Sequence, residues 1–236
     1  MVAEVAALLP PLVQLELDGR FAAMLSHEPK NYALLGYDGT LLLRGVAFRS
    51  SRSEPFGDRF LRHALTRLLV GDVVGVRDVY LDTILALRRR TVPTYDVASR
   101  MRLTKSPAEY AETREKRREL AYEALLANGR YTWSSGDRIR VYRRQNGEGG
   151  LVEATDDEAP VPDRRDYDVE YYVRLLRDTY AERLARAFAP EDFAVVFADP
   201  DQLSLFSPSV EAFRPVLTQL SGAAGAAEAM PWAVTS

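Results

Sequence analysis

Two hydrophobic periods divide this chain, and the change falls at Glu54-Pro55. Before that point apolar residues alternate with polar ones, which puts every second side chain on one face of an extended strand. Leu15, Leu17 and then Phe21 follow this pattern, with Gly19 as a turn signal between two short strands. Tyr32 to Tyr37 and Leu41 to Phe48 form a second pair around Tyr37-Asp38-Gly39-Thr40, where Asp-Gly is a strong hairpin signal. The first 50 residues are therefore expected to be antiparallel sheet. After Glu54-Pro55 the period is that of a helix: Phe60, Leu61, Ala64, Leu65, Leu68 and Leu69 make one apolar stripe, ended by Gly71.

A second helix is expected from Asp72, with Val73, Val76, Tyr80, Ile84 and Leu87 on one face and Pro93 beyond its end. The two helices should pack as an antiparallel pair. Val97 to Leu103 reads as extended. Ser106-Pro107-Ala108-Glu109 supplies an N-cap, a proline at the first helical position and an acidic first turn, so a helix is expected from there to Asn128-Gly129. Gly136-Asp137 opens a strand over Arg138 to Arg144, ended by Asn146-Gly147, and residues 145–166, rich in Gly, Pro and Asp, read as a loop. The clearest helix starts at Asp168 and carries Val169, Tyr172, Val173, Leu176, Tyr180, Leu184 and Phe188 on one face. Residues 221–236, rich in Ala and Gly, read as a flexible tail. The fold class is α+β, an antiparallel sheet followed by a mainly helical part with a small β element.

Composition narrows the functional classes. The chain has 236 residues, 47% apolar and 28% charged, with no apolar run near the roughly 18 residues of a membrane span. Zero cysteines exclude disulfides and thiolate chemistry and fit a cytoplasmic setting. His27 and His63 are isolated, which gives no support to a histidine metal site or a Ser-His-Asp triad. A phosphate-cradling glycine loop is lacking. The net charge of −3 hides an uneven distribution: residues 1–85 carry 9 basic and 10 acidic groups, residues 86–144 carry 15 and 7, and residues 145–236 carry 7 and 17. A block at +8 between near-neutral and acidic segments is what a polyanion-facing surface on an otherwise ordinary protein looks like. Ion-paired, solvated helix faces are the competing account.

Several segments, taken in order, resemble the end of the palm and the thumb of a family B DNA polymerase, in a bacterial or phage-like form. Leu15-Glu-Leu-Asp-Gly-Arg-Phe21 is similar to a palm strand of that family, Lys30-Asn-Tyr-Ala-Leu34 to its Lys-x-Tyr motif, and Arg44-Gly45-Val46 to the strand that leaves the palm. Leu103-Thr-Lys-Ser-Pro-Ala-Glu-Tyr110, Gly136-Asp-Arg-Ile-Arg-Val141 and Asp168-Val-Glu-Tyr-Tyr-Val173 resemble three successive thumb segments. Two departures stand out. Pro29 occupies the place of a second basic residue, and Arg49-Ser50-Ser51-Arg52 replaces an Arg-Arg-Asp run.

The resemblance implies a palm part over residues 1–50, a thumb over 51–220 and a tail over 221–236, acting on primer-template duplex DNA. Lys30 is the implied donor to the minor-groove acceptor, which every base pair presents at nearly the same place. Tyr32, on the same strand face by alternation, is the implied donor to the strand backbone at the primer terminus. Lys105, Arg138 and Arg140 are the implied phosphate contacts; the last two alternate along one strand and share a face. Arg88, Arg89 and Arg90, or Arg114, Lys116, Arg117 and Arg118, are further candidates for the basic patch.

The family's metal-binding aspartates, including its Asp-Thr-Asp motif, and its nucleotide-gripping finger helix find no counterpart in this sequence and are expected upstream of Met1. Asp156-Asp157-Glu158 is acidic but follows no apolar strand and reads as solvated loop. No residue of this chain is expected to be catalytic or to bind metal; Mg²⁺ is expected in the complete polymerase, whose exonuclease, palm and finger part is the implied partner. A stand-alone, non-catalytic duplex-binding module is the alternative.

Overall fold

The computed structural model describes residues 19–152, 163–200 and 209–216. The expected strand at Leu15 and Leu17, the Asp156-Asp157-Glu158 loop and the tail at 221–236 lie outside the described residues.

The chain opens with a three-stranded antiparallel meander, β1 (Ala23–Glu28), β2 (Asn31–Leu35) and β3 (Leu41–Arg44), in that spatial order. The Asp-Gly hairpin signal is correct: Asp38 accepts from the Thr40 amide at 3.0 Å, and the Gly36 amide donates to the Thr40 carbonyl at 2.8 Å. Two boundaries differ from expectation. The strand preceding β2 runs over Ala23–Glu28 rather than at Phe21, and β3 ends at Arg44 rather than Phe48. Gly45, at φ 86, turns the chain out of the sheet there.

Helices α1 (Pro55–Leu68) and α2 (Val73–Arg88) follow as the sequence predicts. Pro55 occupies the first turn of α1, and the Asp72 side chain caps α2 by accepting from the Gly75 amide at 2.7 Å. Every residue of the two expected stripes is buried. A one-turn helix α3 (Thr94–Val97) precedes β4 (Ser99–Arg102), so the extended segment starts two residues later than expected.

Ser106 and Glu109 form a reciprocal capping box at the start of α4 (Pro107–Thr113). The single helix expected from there to Asn128 is instead two, α4 and α5 (Leu120–Ala127). The physical reason is the intervening Glu112–Glu119 stretch, which offers no apolar side chain to bury. Glu119 is extended at φ −112 and ψ 127, its amide donates to the Tyr110 hydroxyl at 3.1 Å, and the fold turns back so that Tyr110 and Tyr122 stack with ring centroids 4.4 Å apart.

β5 (Arg138–Arg143) is followed across the Asn146-Gly147 turn by β6 (Gly149–Val152), a strand in the region expected to be loop. Its two glycines hide the strand from a reading that relies on apolar alternation. β4, β5 and β6 make a second three-stranded antiparallel sheet in that order. α6 (Val169–Leu175) begins at Asp168, which accepts from the Tyr171 amide at 3.0 Å. It continues as a π-turn (Leu176–Tyr180) and a 3₁₀ segment (Ala181–Ala187), so the expected long helix keeps its buried face but not one uniform pitch. A short helix α7 (Pro190–Val196) closes the body.

Two cores result. The larger joins the inner face of the first sheet (Leu25, Ala33, Leu35, Leu43) to the stripes of α1 and α2 and to Tyr172, Leu176, Tyr180 and Leu184. The smaller lies between the second sheet and α4–α5, formed by Leu103, Tyr110, Ala121, Tyr122, Ala124, Leu125, Ile139 and Val141. Each fully buried Leu or Phe contributes about 1.5–3 kcal/mol of transfer free energy, so the larger core dominates stability. The α+β class holds: the N-terminal antiparallel sheet is followed by a mainly helical part whose small β element is a second three-stranded sheet.

Candidate nucleic-acid interface

Alternation along β4 and β5 builds the most strongly charged surface. Arg100 pairs with Arg140 and Arg102 with Arg138 across the antiparallel ladder. Residues directly opposite in a ladder project to the same side, so four guanidiniums stand on one face of two strands. The other side of β5 carries Ile139 and Val141 into the smaller core. Like charges placed directly opposite destabilise a sheet, typically by a few tenths of a kcal/mol to about 1 kcal/mol a pair. The structure offsets this only in part. Arg140 donates to the Ala98 carbonyl at 3.2 Å, and its guanidinium carbon lies 4.1 Å from the Tyr95 ring centroid. Among the described residues Arg100, Arg102 and Arg138 form no ion pair within 4.0 Å.

Two arginines from elsewhere extend this face. Arg52, in the segment leading into α1, lines a cleft with Ser51, Arg100, Met101, Arg102 and Arg138. Arg130, after α5, lines a second cleft with Tyr95, Arg100, Arg138, Arg140, Leu151 and Val152. Sequence reading found Arg138 and Arg140 but missed Arg100 and Arg102. The signal was present as a second Arg-x-Arg at strand spacing; what was missing was the register that pairs it with the first.

The remaining basic candidates divide cleanly. Lys105 is tied to its surroundings: its ammonium donates to Glu119 at 2.7 Å and Thr113 at 3.1 Å, its amide donates to the Tyr122 hydroxyl, and its carbonyl accepts from the Trp133 indole at 2.9 Å. Arg90 holds the carbonyl of Tyr167 at 2.7 Å, Arg88 pairs with Asp199 at 2.7 Å, and Arg114 pairs with Glu123 at 2.8 Å. Arg143 and Arg144 face Asp168 and Asp166 at 3.4 and 3.6 Å. Arg89, Lys116, Arg117 and Arg118 are exposed.

Lys30 and Tyr32 belong to the first sheet. Pro29 and Lys30 form the two-residue turn between β1 and β2, with Lys30 at φ 65. That left-handed conformation is usual for Gly or Asn at the second central position of a turn and unusual for lysine, while proline suits the first. The expectation that Lys30 and Tyr32 share a strand face by alternation is therefore corrected: Lys30 lies in the turn, and only Tyr32 lies in the ladder, level with Ser26 and Arg44. Gly45 packs against this turn so closely that a Cβ there would sit 2.3 Å from the Lys30 carbonyl oxygen and from Asn31 Oδ1. Asn31 Oδ1 also accepts from the Ala47 amide at 2.9 Å, which ties the turn to the chain leaving the sheet.

Among the described residues no group of three or more His, Asp or Glu side chains is placed to hold a metal ion. No helix among them is long and apolar enough to cross a membrane.

This arrangement of an antiparallel sheet, a helical body and a second small sheet resembles part of a DNA polymerase in fold. The structure matches the family B DNA polymerase from the hyperthermophilic archaeon Pyrobaculum calidifontis with a TM-score of 0.55 and 18% identity, over 74% of this chain and 22% of that one. In sequence, 106 residues (44% of this chain) are 29% identical to the DNA polymerase of Methanocaldococcus jannaschii, of which they span 6%. No family model matches the chain. The chain is thus similar in sequence to a short segment of one DNA polymerase and in fold to part of a family B DNA polymerase, and it spans under a quarter of the length of either. Both of these relatives are archaeal.

Proposed function

We propose that this chain binds primer-template duplex DNA as the C-terminal palm and thumb part of a family B DNA polymerase, with the catalytic carboxylates and their Mg²⁺ supplied by another part. The observation that carries this reading is the ladder of Arg100, Arg102, Arg138 and Arg140 on one sheet face, extended by Arg52 and Arg130. A sheet that tolerates opposed like charges is most stable with an anion spread across it. The phosphates of a duplex supply such an anion at regular spacing. Guanidiniums fork onto phosphate oxygens and carry no sequence information, which suits a polymerase that must hold any duplex. Lys30, on its strained turn, is the candidate for the minor-groove contact at the primer terminus, and Tyr32 for the strand backbone beside it. We assign the metal-dependent step to the other part because the family's aspartate motifs find no counterpart in this sequence.

The test is a salt titration. Four to six phosphate contacts give a slope of log K against log[salt] of about −4 to −5 for random-sequence duplex. A slope near zero overturns the proposal.

A further inference from the structure

We propose that the cleft between Tyr95 and β6 takes an unpaired nucleotide of a DNA strand, its base against the Tyr95 ring and its phosphate on Arg100 or Arg138. This rests on the arginine face being a DNA-binding surface and adds to it an element that senses bases. The cleft measures about 660 Å³, within the range of about 300–1,000 Å³ typical of small-molecule sites. Its lining is mixed in chemistry. Arg100, Arg130, Arg138 and Arg140 line it together with the Tyr95 ring, Leu151 and Val152, so cations and apolar surface share one cleft, with Arg140 placed over the Tyr95 ring. A track for duplex phosphates needs only the cations, because a paired base offers no face to the apolar surface. An unpaired nucleotide uses both.

The aromatic surface is built rather than incidental. Tyr95 is 51% exposed; Tyr37 and Tyr131 are exposed as well, but of these three only Tyr95 lines this cleft. Arg140 lies over its ring at 4.1 Å and is itself anchored on the Ala98 carbonyl. The flanking residues of α3 are pinned as well. The Thr94 amide and hydroxyl donate to Asp163, and Asp96 pairs with Arg59 at 2.7 Å. The half-exposed ring is thus presented on a fixed turn with a cation over one face. That is the pre-organisation a stacking platform needs, because little side-chain entropy remains to be lost on binding.

The experiment measures binding of the full 236-residue chain to three probes of about twelve nucleotides, a length within reach of one stacking groove. These are oligothymidylate, the same sugar-phosphate strand without bases, and a duplex. Oligothymidylate should bind at least about fivefold tighter than the baseless strand, the lower end of one base–aromatic stack. Tyr95→Ala should erase that difference while changing duplex affinity less than about twofold, and Tyr95→Phe should preserve it, since stacking needs the ring and not the hydroxyl. Equal binding of the two strands by the unaltered chain overturns the inference, as does a preference that survives Tyr95→Ala. Displacement of oligothymidylate by an equal concentration of free thymidine monophosphate also overturns it, in favour of a free-nucleotide site. Failure of the underlying DNA-binding reading looks different: no probe then binds with salt-sensitive affinity, and Arg138→Ser leaves all three unchanged.

Discussion

The two three-stranded sheets of this protein are built alike and finished differently. Each is an antiparallel meander with one apolar face in a core: Leu25, Ala33, Leu35 and Leu43 in the first, Ile139 and Val141 in the second. On the outer face of the first, Met24, Leu34 and Leu42 stand in register across all three strands, with Ser26, Tyr32 and Arg44 as the next row. The outer face of the second carries four arginines on two strands. The first surface suits packing and directed hydrogen bonds; the second suits a polyanion. The Lys-x-Tyr motif thus lies on the sheet with little charge, and the paired arginines lie on the other.

If this division of labour is right, removing charge from the second sheet has the largest effect. Replacing Arg100 and Arg138 together with serine should make the salt slope for duplex binding shallower by about 2, one unit for each lost phosphate contact. At low salt the affinity should fall by an order of magnitude or more. Lys30→Ala should change the slope by no more than about 1. If the proposed polymerase reading is right, then once the proposed catalytic part is supplied Lys30→Ala should slow extension of matched primers by roughly 1–3 kcal/mol, more than it slows mismatched ones, because only a matched pair places the minor-groove acceptor correctly. Equal losses from the two sheets in the salt titration, or equal slowing of both primers, would erase the distinction.

A smaller effect separates the sheets in stability. Alanine at Gly149 puts a Cβ 2.6 Å from the Leu120 carbonyl oxygen and 2.8 Å from Ala124 Cβ, so β6 and α5 must move apart. Overpacking of this kind typically costs about 1–3 kcal/mol, and here it falls on the smaller core. Alanine at Gly45 combines φ 86 with contact on the Lys30 carbonyl, which should displace the Pro29-Lys30 turn while leaving the second sheet intact. Amide hydrogen exchange reads both changes locally. Gly149→Ala should accelerate exchange in α5 and β5, and Gly45→Ala in the turn between β1 and β2. Loss of protection throughout the molecule in either variant would show that the two cores fold as one unit.

What was legible in the sequence follows the physics of each signal. The stripes of α1 and α2 were readable because many residues report one period, and the N-caps at Asp72, Ser106 and Asp168 because one side chain satisfies one orphan amide. The break between α4 and α5 was not, since the capping signal announces a start but gives no length, and the end depends on Tyr110 meeting Glu119 and Glu123 from across the turn. Strand β6 escaped because Gly149 and Gly150 are required by close neighbours rather than by local preference. For the site, Arg138 and Arg140 were legible as an alternating pair. Arg100 and Arg102 became meaningful only through a register linking positions some forty residues apart. That Lys105 is also held by Glu119 was not legible, because Glu119 is close only after the α4–α5 turn forms.

The smallest expected effect is a pH dependence confined to the second sheet's helical cover. Arg114 donates to both carboxylate oxygens of Glu123, at 2.8 and 2.9 Å, and the Tyr110 hydroxyl donates to the first at 2.6 Å. The Arg114 hydrogen bonds, with help from Tyr110, pull the Glu123 carboxyl from 4.5 to about 2. A carboxyl whose folded value is depressed stabilises the fold fully above its unfolded value and loses that contribution as pH falls through the folded one. The window therefore runs from about pH 4.5 down to about 2, and within it unfolding of α4 and α5 should take up as much as one additional proton. Hydrogen exchange of α5 followed across this range should show declining protection that is absent in Glu123→Gln, which keeps the side-chain shape without the titrating group. The first sheet carries no comparable carboxylate–guanidinium fork among the described residues, so β2 should lose protection only with the molecule as a whole. If β2 and α5 decline together, in the unaltered chain and in Glu123→Gln alike, the acid sensitivity belongs to the whole fold and not to this one pair.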